Sequence, residues 1–180
     1  MISGFDPENM QNSDTGILLN AQGMEVTLQN CDRISPWRFA DAISPNMAAE
    51  NESREIHFPA LVRFCRKNEN TDYVLVEGAG GVMTPLGRNE TMLDWIKELN
   101  YQVILVAGSY LGTVSHTLTA YQTLAAKKAN LHSVIVSESD HSPVPVARTL
   151  LTLENFLPNN LATYGVSRNH PHEDLKHIQL

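Results

Sequence analysis

Tyr73-Val74-Leu75-Val76-Glu77-Gly78-Ala79-Gly80-Gly81 is the stretch that decides the predicted fold. Its first five residues form a short apolar run that ends in a carboxylate, which predicts a buried strand over 73–77. Three glycines follow within four residues, so the backbone there can approach a bulky ligand without an intervening Cβ. Ligands of open α/β sheets lie beyond the carboxyl ends of strands, where a carboxylate can hold Mg²⁺. On these residues alone, a tight turn with a solvated Glu77 explains the stretch equally well.

Strand and helix signals alternate after this stretch. Apolar runs predict strands at 102–107, 131–136 and 161–166, and helical patterns predict helices at 91–99, 113–128 and 145–156. Val103-Ile104-Leu105-Val106 is apolar at consecutive positions, which indicates a strand buried on both faces, as in a parallel sheet. The alternation predicts a three-layer α/β fold in which helices cover a parallel sheet.

The sequence before the glycine-rich stretch predicts mainly helices. Ser13 can cap a helix over 14–21, and a second helix is predicted at 55–68, with Pro59 in its first turns. Residues 34–39 are predicted to be extended and residues 44–49 to form a turn. We expect one domain over 1–180, with a polar tail that is loosely held from about residue 169.

Composition narrows the class of protein. The chain has 180 residues, 42% of them hydrophobic and 18% charged, which is typical of a globular protein. Its net charge of −7 argues against nonspecific binding of nucleic acid, and no apolar run is long enough for a membrane span. The two cysteines, Cys31 and Cys65, form neither a metal motif nor a disulfide framework. The expected setting is therefore reducing and cytoplasmic.

Asp14 and Glu77 are the candidate metal ligands. They lie far apart in the sequence, so only the fold can bring them together. Two carboxylates together with the phosphates of a nucleotide would complete a Mg²⁺ site. The alternative for Asp14 is a purely local role, because aspartate is common at helix starts for capping alone.

A phosphate-binding loop should accompany such a metal site. The usual pattern is Gly-x-x-x-x-Gly-Lys-Ser/Thr, and no Gly-Lys pair occurs anywhere in the chain. Either the protein is not a P-loop protein, or the loop belongs before Met1 and has been lost.

Leu111-Gly112-Thr113-Val114-Ser115-His116 is the second candidate binding segment. It places free backbone N–H groups at the start of a predicted helix, which suits a substrate carboxylate. An ordinary N-cap by Thr113 is the alternative, and on these residues alone it is the stronger one. His116 is a candidate base, although a histidine in a first turn is usually polar surface.

A series of short segments resembles dethiobiotin synthetase, the ATP-dependent penultimate enzyme of biotin synthesis. The segments occur in the family's order and cover nearly the whole chain: Ile2-Ser3-Gly4, Asn12-Ser13-Asp14, Ser44-Pro45 with Ala48-Ala49, Val76-Glu77-Gly78-Ala79-Gly80-Gly81 with Pro85-Leu86, and Val106 with Leu111-Gly112 and His116. Each segment is weak by itself, but five in order are specific. The related cobyrinate and cobyrate synthetases share the Glu-Gly-Ala-Gly type of loop but not the serine-proline-alanine segment in this setting.

The resemblance implies a homodimer of single α/β domains of the P-loop NTPase class. It implies that CO₂ adds to an amine of 7,8-diaminopelargonate, that the carbamate takes the γ-phosphoryl group of ATP, and that the second amine closes the ureido ring. Mg²⁺ and lysines would neutralise the charge on the transferred phosphoryl group.

The resemblance also implies roles for particular residues. Ser3, Leu111 and Gly112 match substrate-binding positions, and the helix start after Gly112 would receive the substrate carboxylate from across the dimer. Asp14 and Glu77 match the positions that bind Mg²⁺ and ATP. The remaining ATP-binding positions would be Gly78, Ala79, Gly80, Ser137, Glu138, Val166, Ser167 and Arg168.

Four departures from the family pattern affect the expected activity. The P-loop and the lysine of the Lys-Pro-x-x-Ser-Gly pattern would precede Met1, so no catalytic residue is assigned. Ser137, followed by Glu138, stands where an asparagine usually reads the base, and Ser115 replaces a second asparagine. We expect a chain that lacks the first strand and the P-loop and has little or no ligase activity. The alternatives are a non-catalytic binding or dimerisation module and a related ATP-dependent amidoligase.

Overall fold

In the computed structural model, which describes residues 4–67 and 71–178, the first half of the chain folds into short helices. A 3₁₀ helix (Pro7–Asn12) precedes α1 (Asp14–Ala21) and α2 (Leu28–Ile34). Three more follow, namely α3 (Pro45–Asn51), α4 (Phe58–Arg66) and α5 (Met92–Leu99). The chain divides into two compact units, unit 1 (Met1–Leu99) and unit 2 (Asn100–Leu180). The single-domain organisation stays a prediction.

Side-chain caps explain where these helices begin. The Ser13 hydroxyl accepts a hydrogen bond from the Gly16 amide at the start of α1, which confirms the predicted cap. Thr27 caps α2 in the same way. Residues 44–49 were predicted as a turn, and that prediction is wrong, because α3 begins at Pro45. Proline suits the first helical position, since its missing N–H has no intrahelical partner there.

The central prediction for unit 1 is also wrong, because residues 73–77 do not form a strand. They take part in no ladder pairing, and Tyr73 and Leu75 are 79% and 84% exposed. An apolar run becomes a buried strand only where another strand offers it hydrogen bonds and a packing surface. In residues 4–67 and 71–99 the one β pairing is an isolated antiparallel bridge between Pro85 and Thr91. Glu77 therefore does not stand at the edge of a sheet.

Unit 2 contains the parallel sheet that the sequence predicts. Its strands are β1 (Val103–Ala107), β2 (Leu131–Ser137) and β3 (Ala162–Val166), paired in parallel in the order β1-β2-β3. The connections are α6 (Thr113–Ala126) and α7 (Val146–Glu154), and α8 (Pro171–Leu175) follows β3. The three predicted strands and both connecting helices are confirmed, so the α/β class with a parallel sheet is correct.

The core of unit 2 lies between the sheet and its two connecting helices. Val134 and Val136 of β2 are fully buried with Leu153 of α7, and Leu157 joins them. Half-buried side chains of α6, including Val114 and Leu118, pack against this cluster. In the described part of the chain, no helix is long and apolar enough to cross a membrane.

Candidate functional site

The loops after β2 and β3 lie together at the carboxyl edge of the sheet. Ser137 is the register partner of Val166, so the ends of the two strands coincide. The Glu138 amide donates to the Val166 carbonyl at 2.9 Å, and the Arg168 amide donates to Glu138 Oε2 at 2.9 Å. The fold thus brings together two segments that lie about 30 residues apart and that the sequence analysis linked to ATP.

Charged side chains contact both of these loops. The Arg168 guanidinium forms an ion pair with Asp140 at 2.5 Å, although both side chains are more than half exposed. The Ser167 amide donates to Asp174 Oδ2 at 2.7 Å, which ties the loop after β3 to α8. Exposed ion pairs contribute little free energy, but the backbone hydrogen bonds fix where the Arg168 side chain begins.

The loop after β1 is joined to the loop after β2 by two serines. The Ser109 amide donates to Ser139 Oγ at 3.0 Å, and the Ser139 amide donates to Ser109 Oγ at 2.9 Å. Ser142 Oγ donates to the Ser109 carbonyl at 3.0 Å. Sequence reasoning missed Ser109 and Ser139. The available signal was a small hydroxyl residue shortly after each of two neighbouring parallel strands, whose carboxyl ends must meet.

Leu111 and Gly112 lie in the turn that leads into α6. Gly112 has a φ of +97° and is the N-cap, but no side chain caps the helix. Thr113 was weighed as an ordinary N-cap, and the structure excludes this, because its hydroxyl donates to the Gly108 carbonyl at 2.6 Å. The first amides of α6 therefore have no capping side chain, and a carboxylate or phosphate group suits such a helix start. Leu111 beside them is 89% exposed.

A tyrosine–histidine pair stands beside this helix start. The Tyr110 hydroxyl and His116 Nδ1 are 3.0 Å apart, within hydrogen-bond distance, and the two rings also contact each other. The Nδ1 atom of His116 therefore already has a hydrogen-bond partner. If His116 acts as a base, Nε2 is the nitrogen that would accept the proton.

Asp14 occupies the first position of α1. Ser13 caps this helix, so Asp14 is not needed for capping. Within the described chain its carboxylate has no hydrogen-bond or ion-pair partner, and a negative charge there is favoured by the helix dipole.

Glu77 and the glycines after it form an exposed loop in unit 1. The Glu77 carboxylate also lacks a hydrogen-bond or ion-pair partner among the described residues. Packing within the loop explains two glycines. A Cβ on Gly78 would lie 2.3 Å from Met92 Sδ, and Gly80 has a φ of +77° with Thr84 Oγ1 2.5 Å from its Cβ position. The packing of the loop therefore accounts for Gly78 and Gly80, whether or not a ligand approaches the loop.

The predicted Mg²⁺ ligands come from two separate elements of unit 1. Within residues 4–67 and 71–178, no group of three or more His, Cys, Asp or Glu side chains is arranged to hold a metal ion. Mg²⁺ commonly takes only one or two carboxylates and completes its shell with water and phosphate oxygens. The donor chemistry of Asp14 and Glu77 therefore fits the ion. Ser3, the predicted substrate contact, lies outside the described residues.

Comparison with known proteins defines the class. A family model described as an AAA domain matches residues 12–172. Together with the parallel sheet and the loops at its carboxyl edge, this match defines an α/β protein of the P-loop NTPase-like class.

Similarity to curated proteins narrows the class to a family. The chain is 45% identical over 158 residues to ATP-dependent dethiobiotin synthetase BioD of Acidiphilium cryptum, covering 86% of this chain and 71% of that protein. It is 41% identical over 172 residues to the protein of that name from Phenylobacterium zucineum, covering 94% and 74%. It is 42% identical to the protein of that name from Methylobacterium nodulans, and the match covers 74% of this chain and 61% of that protein. The chain belongs to the dethiobiotin synthetase family, whose named members here are ATP-dependent ligases.

Proposed function

We propose that the protein acts in biotin biosynthesis on 7,8-diaminopelargonate, CO₂ and ATP, the substrates of dethiobiotin formation. The observation that carries this proposal is the meeting of Ser137–Glu138 with Val166–Arg168 at the carboxyl edge of the sheet. Ligands of open parallel sheets bind at this edge. The names of the relatives support this reaction, and the meeting of the two loops supports the sheet edge as the proposed nucleotide site.

The proposed nucleotide site uses the joined loops for the base. Glu138 and Arg168 contact each other, so their contribution is to hold the loop backbone against the base. Ser137 is exposed and offers a hydroxyl in place of the amide of the asparagine that the family pattern has there. The family resemblance alone supports the assignment of Gly78, Ala79 and Gly80 of unit 1, with Asp14 and Glu77, as further ATP-binding residues.

Asp14 and Glu77 would hold Mg²⁺ in this proposal. Both are carboxylates without a protein partner among the described residues, so their oxygens are available as ligands for Mg²⁺. Neutralisation of charge on the transferred phosphoryl group is the chemistry that a bound Mg²⁺ would supply.

The start of α6 would receive the carboxylate of 7,8-diaminopelargonate. Gly112 leaves the first amides of the helix without a side-chain cap, and the helix dipole favours an anion there. Leu111 would contact the aliphatic chain of the substrate, since its side chain is almost fully exposed. We further propose that the carboxylate comes from the site of a second copy in a homodimer and that the protein works in the cytoplasm. Sedimentation tests the dimer.

Activity of the 180-residue chain itself is expected to be very low. The chain has no Gly-Lys pair, and so no P-loop lysine for the phosphates. Removal of even one donor to developing charge commonly lowers a rate by ~10²–10³. Purified chain incubated with 7,8-diaminopelargonate, bicarbonate and Mg-ATP should form no more dethiobiotin than a blank without protein. Formation well above the blank would contradict this expectation.

Binding separates the proposed function from a non-catalytic module. Isothermal titration should show binding of both 7,8-diaminopelargonate and Mg-ATP. Glu77→Gln and Asp14→Asn should each weaken Mg-ATP binding by at least ~10-fold, because second-shell changes alone cost that much. The matched control is Glu50→Gln, at an exposed carboxylate on α3. The missing Gly-Lys pair favours the module as second candidate, and a folded, dimeric chain that binds neither ligand would establish it.

The third candidate is an ATP-dependent amidoligase for another carboxylate. It predicts Mg-ATP binding without binding of 7,8-diaminopelargonate. Titration with other diamino and dicarboxylic acids would then identify the ligand.

A further inference from the structure

Two reciprocal hydrogen bonds join the loop after β1, residues 108–112, to the loop after β2, residues 137–140. We call these the substrate loop and the base loop, after their roles in the proposed function. Each serine donates its amide to the hydroxyl oxygen of the other, at 3.0 and 2.9 Å. Both bonds lie within unit 2, and neither serine has a proposed ligand contact.

The connection is tightly packed. Ser109 is 1% exposed, and a Cβ on Gly108 would lie 2.7 Å from Ser139 Oγ. The Gly108 carbonyl is held by the Thr113 hydroxyl at the start of α6, and the Ser109 carbonyl is held by Ser142 Oγ. A shift of the base loop at Ser139 therefore breaks a buried hydrogen bond unless the substrate loop and the start of α6 shift with it.

We propose that Ser109 and Ser139 are positioning residues that couple ligand binding at the substrate loop to ligand binding at the base loop. The proposal rests on the proposed function, which places a carboxylate at one loop and a nucleotide base at the other. A ligand at one loop restrains that loop and, through the serine pair, the other loop. The second ligand then binds to a loop whose position is already restrained, which is positive coupling.

The coupling passes through one chain. It holds whether the two ligands occupy one site or the two sites of the proposed homodimer, because unit 2 contains both loops. The size expected from one neutral hydrogen bond is a factor of roughly 2 to 10 in affinity.

The first test measures the connection without ligands. In hydrogen exchange, Ser139→Ala should raise the rates of amides 109–113 by roughly 2- to 10-fold, since the Ser109 amide loses its acceptor. Ser133→Ala is the matched control in β2, because the Ser133 hydroxyl is buried and has no hydrogen-bond partner in the described chain. Ser139→Thr keeps the hydroxyl and should restore slow exchange. Equal rates in Ser139→Ala and Ser133→Ala would overturn the inference.

The second test measures the coupling itself. Titration of 7,8-diaminopelargonate with and without saturating Mg-ATP should give a higher affinity with the nucleotide present. Ser139→Ala should reduce this ratio toward one, while Ser133→Ala keeps it. Binding of both ligands with a ratio of one would overturn the inference and leave the proposed function intact. Absence of binding by either ligand in the unaltered chain would overturn both.

Discussion

Three apolar runs of similar composition differ in how deeply they are buried. Their burial follows the number of strands that pair with each run. Val134, Ile135 and Val136 lie in β2, which pairs on both sides, and all three are buried. β1 pairs on one side within the described chain, and its residues are half-buried apart from the exposed Val106. The run over 73–77 pairs on neither side and is mostly exposed.

A β-strand therefore depends on its neighbour as much as on its own residues. Val, Leu and Tyr favour a pleated, half-buried surface, but the surface exists only where a second strand provides it.

The largest expected effect on stability concerns two leucines, one buried and one exposed. Leu153 is fully buried in unit 2, so Leu153→Ala should lower the free energy of unfolding by about 2–5 kcal/mol. Leu75 in unit 1 is 84% exposed, so Leu75→Ala should change it by less than about 0.5 kcal/mol. Urea unfolding followed by circular dichroism measures both. A loss of 2 kcal/mol or more in Leu75→Ala would mean that the 73–77 run is buried in solution.

The second prediction concerns the helical core of unit 1. Burial raises the pKa of the Cys65 thiol to about 11, from an ordinary value of 9.0. The pKa of the thiol is higher in the folded state than in the unfolded state. The stability that the protonated thiol contributes is therefore fully present below pH 9 and is lost as the pH rises to about 11. A two-unit difference corresponds to at most about 3 kcal/mol.

Cys65→Ala is the variant that isolates this titration. Urea unfolding at pH 8, 9.5 and 11 should show a shallower loss of stability with pH in Cys65→Ala than in the parent chain. Equal slopes would show that the thiol is already solvated, which would contradict a packed α4–α5 core.

Much of unit 2 could be predicted from the sequence. The strands over 102–107, 131–136 and 161–166 agree with the structure to within a residue or so at each end, because each apolar run has its partner close by in the βαβ order. Unit 1 was harder. The helix at α3 was mistaken for a turn because Ser44-Pro45-Asn46 fits a turn and a helix start equally well.

The features of the candidate site also divide into those that the sequence can predict and those that it cannot. Residues 137–138 and 166–168 meet because parallel strands end at one edge of the sheet. A sequence pattern can therefore predict this contact. That Ser109 and Ser139 exchange hydrogen bonds could not be foreseen, because it depends on the detailed path of two loops. The pairing of Asp14 with Glu77 stays a prediction, carried by family resemblance and by two carboxylates without partners in the described chain.

A third prediction tests whether the glycine loop of unit 1 is fixed by its own packing. Gly80→Ala should cost about 1–2 kcal/mol, because its φ of +77° is unfavourable for residues with a Cβ and Thr84 Oγ1 lies 2.5 Å from the new atom. Gly81→Ala is the adjacent control, with no atom within 4 Å of its Cβ position. Gly80→Asn should recover part of the loss, since asparagine tolerates this conformation. Equal stability of the two alanine variants would show that the loop has no fixed conformation without a ligand.

The smallest expected effect on stability comes from the removal of a threonine hydroxyl, tested once in each unit. Thr91 and Asp94 form a reciprocal cap at the start of α5, where Asp94 Oδ2 accepts from the Thr91 amide and hydroxyl, both at 2.7 Å. The Thr91 hydroxyl in turn accepts from the Asp94 amide at 3.4 Å. Thr123 Oγ1 in α6 instead donates to the Thr119 carbonyl within the helix, at 2.8 Å.

Removal of the two hydroxyls should therefore act in opposite directions. Thr91→Ala should lower the free energy of unfolding by about 1 kcal/mol, because an amide at the helix start loses its acceptor. Thr123→Ala should leave it unchanged or raise it by a few tenths of a kcal/mol, because alanine is the better helix former and the Thr119 carbonyl keeps its place in the helix. Thermal unfolding of the two variants beside the parent chain measures the difference. Equal losses would mean that the cap of α5 is not formed in solution.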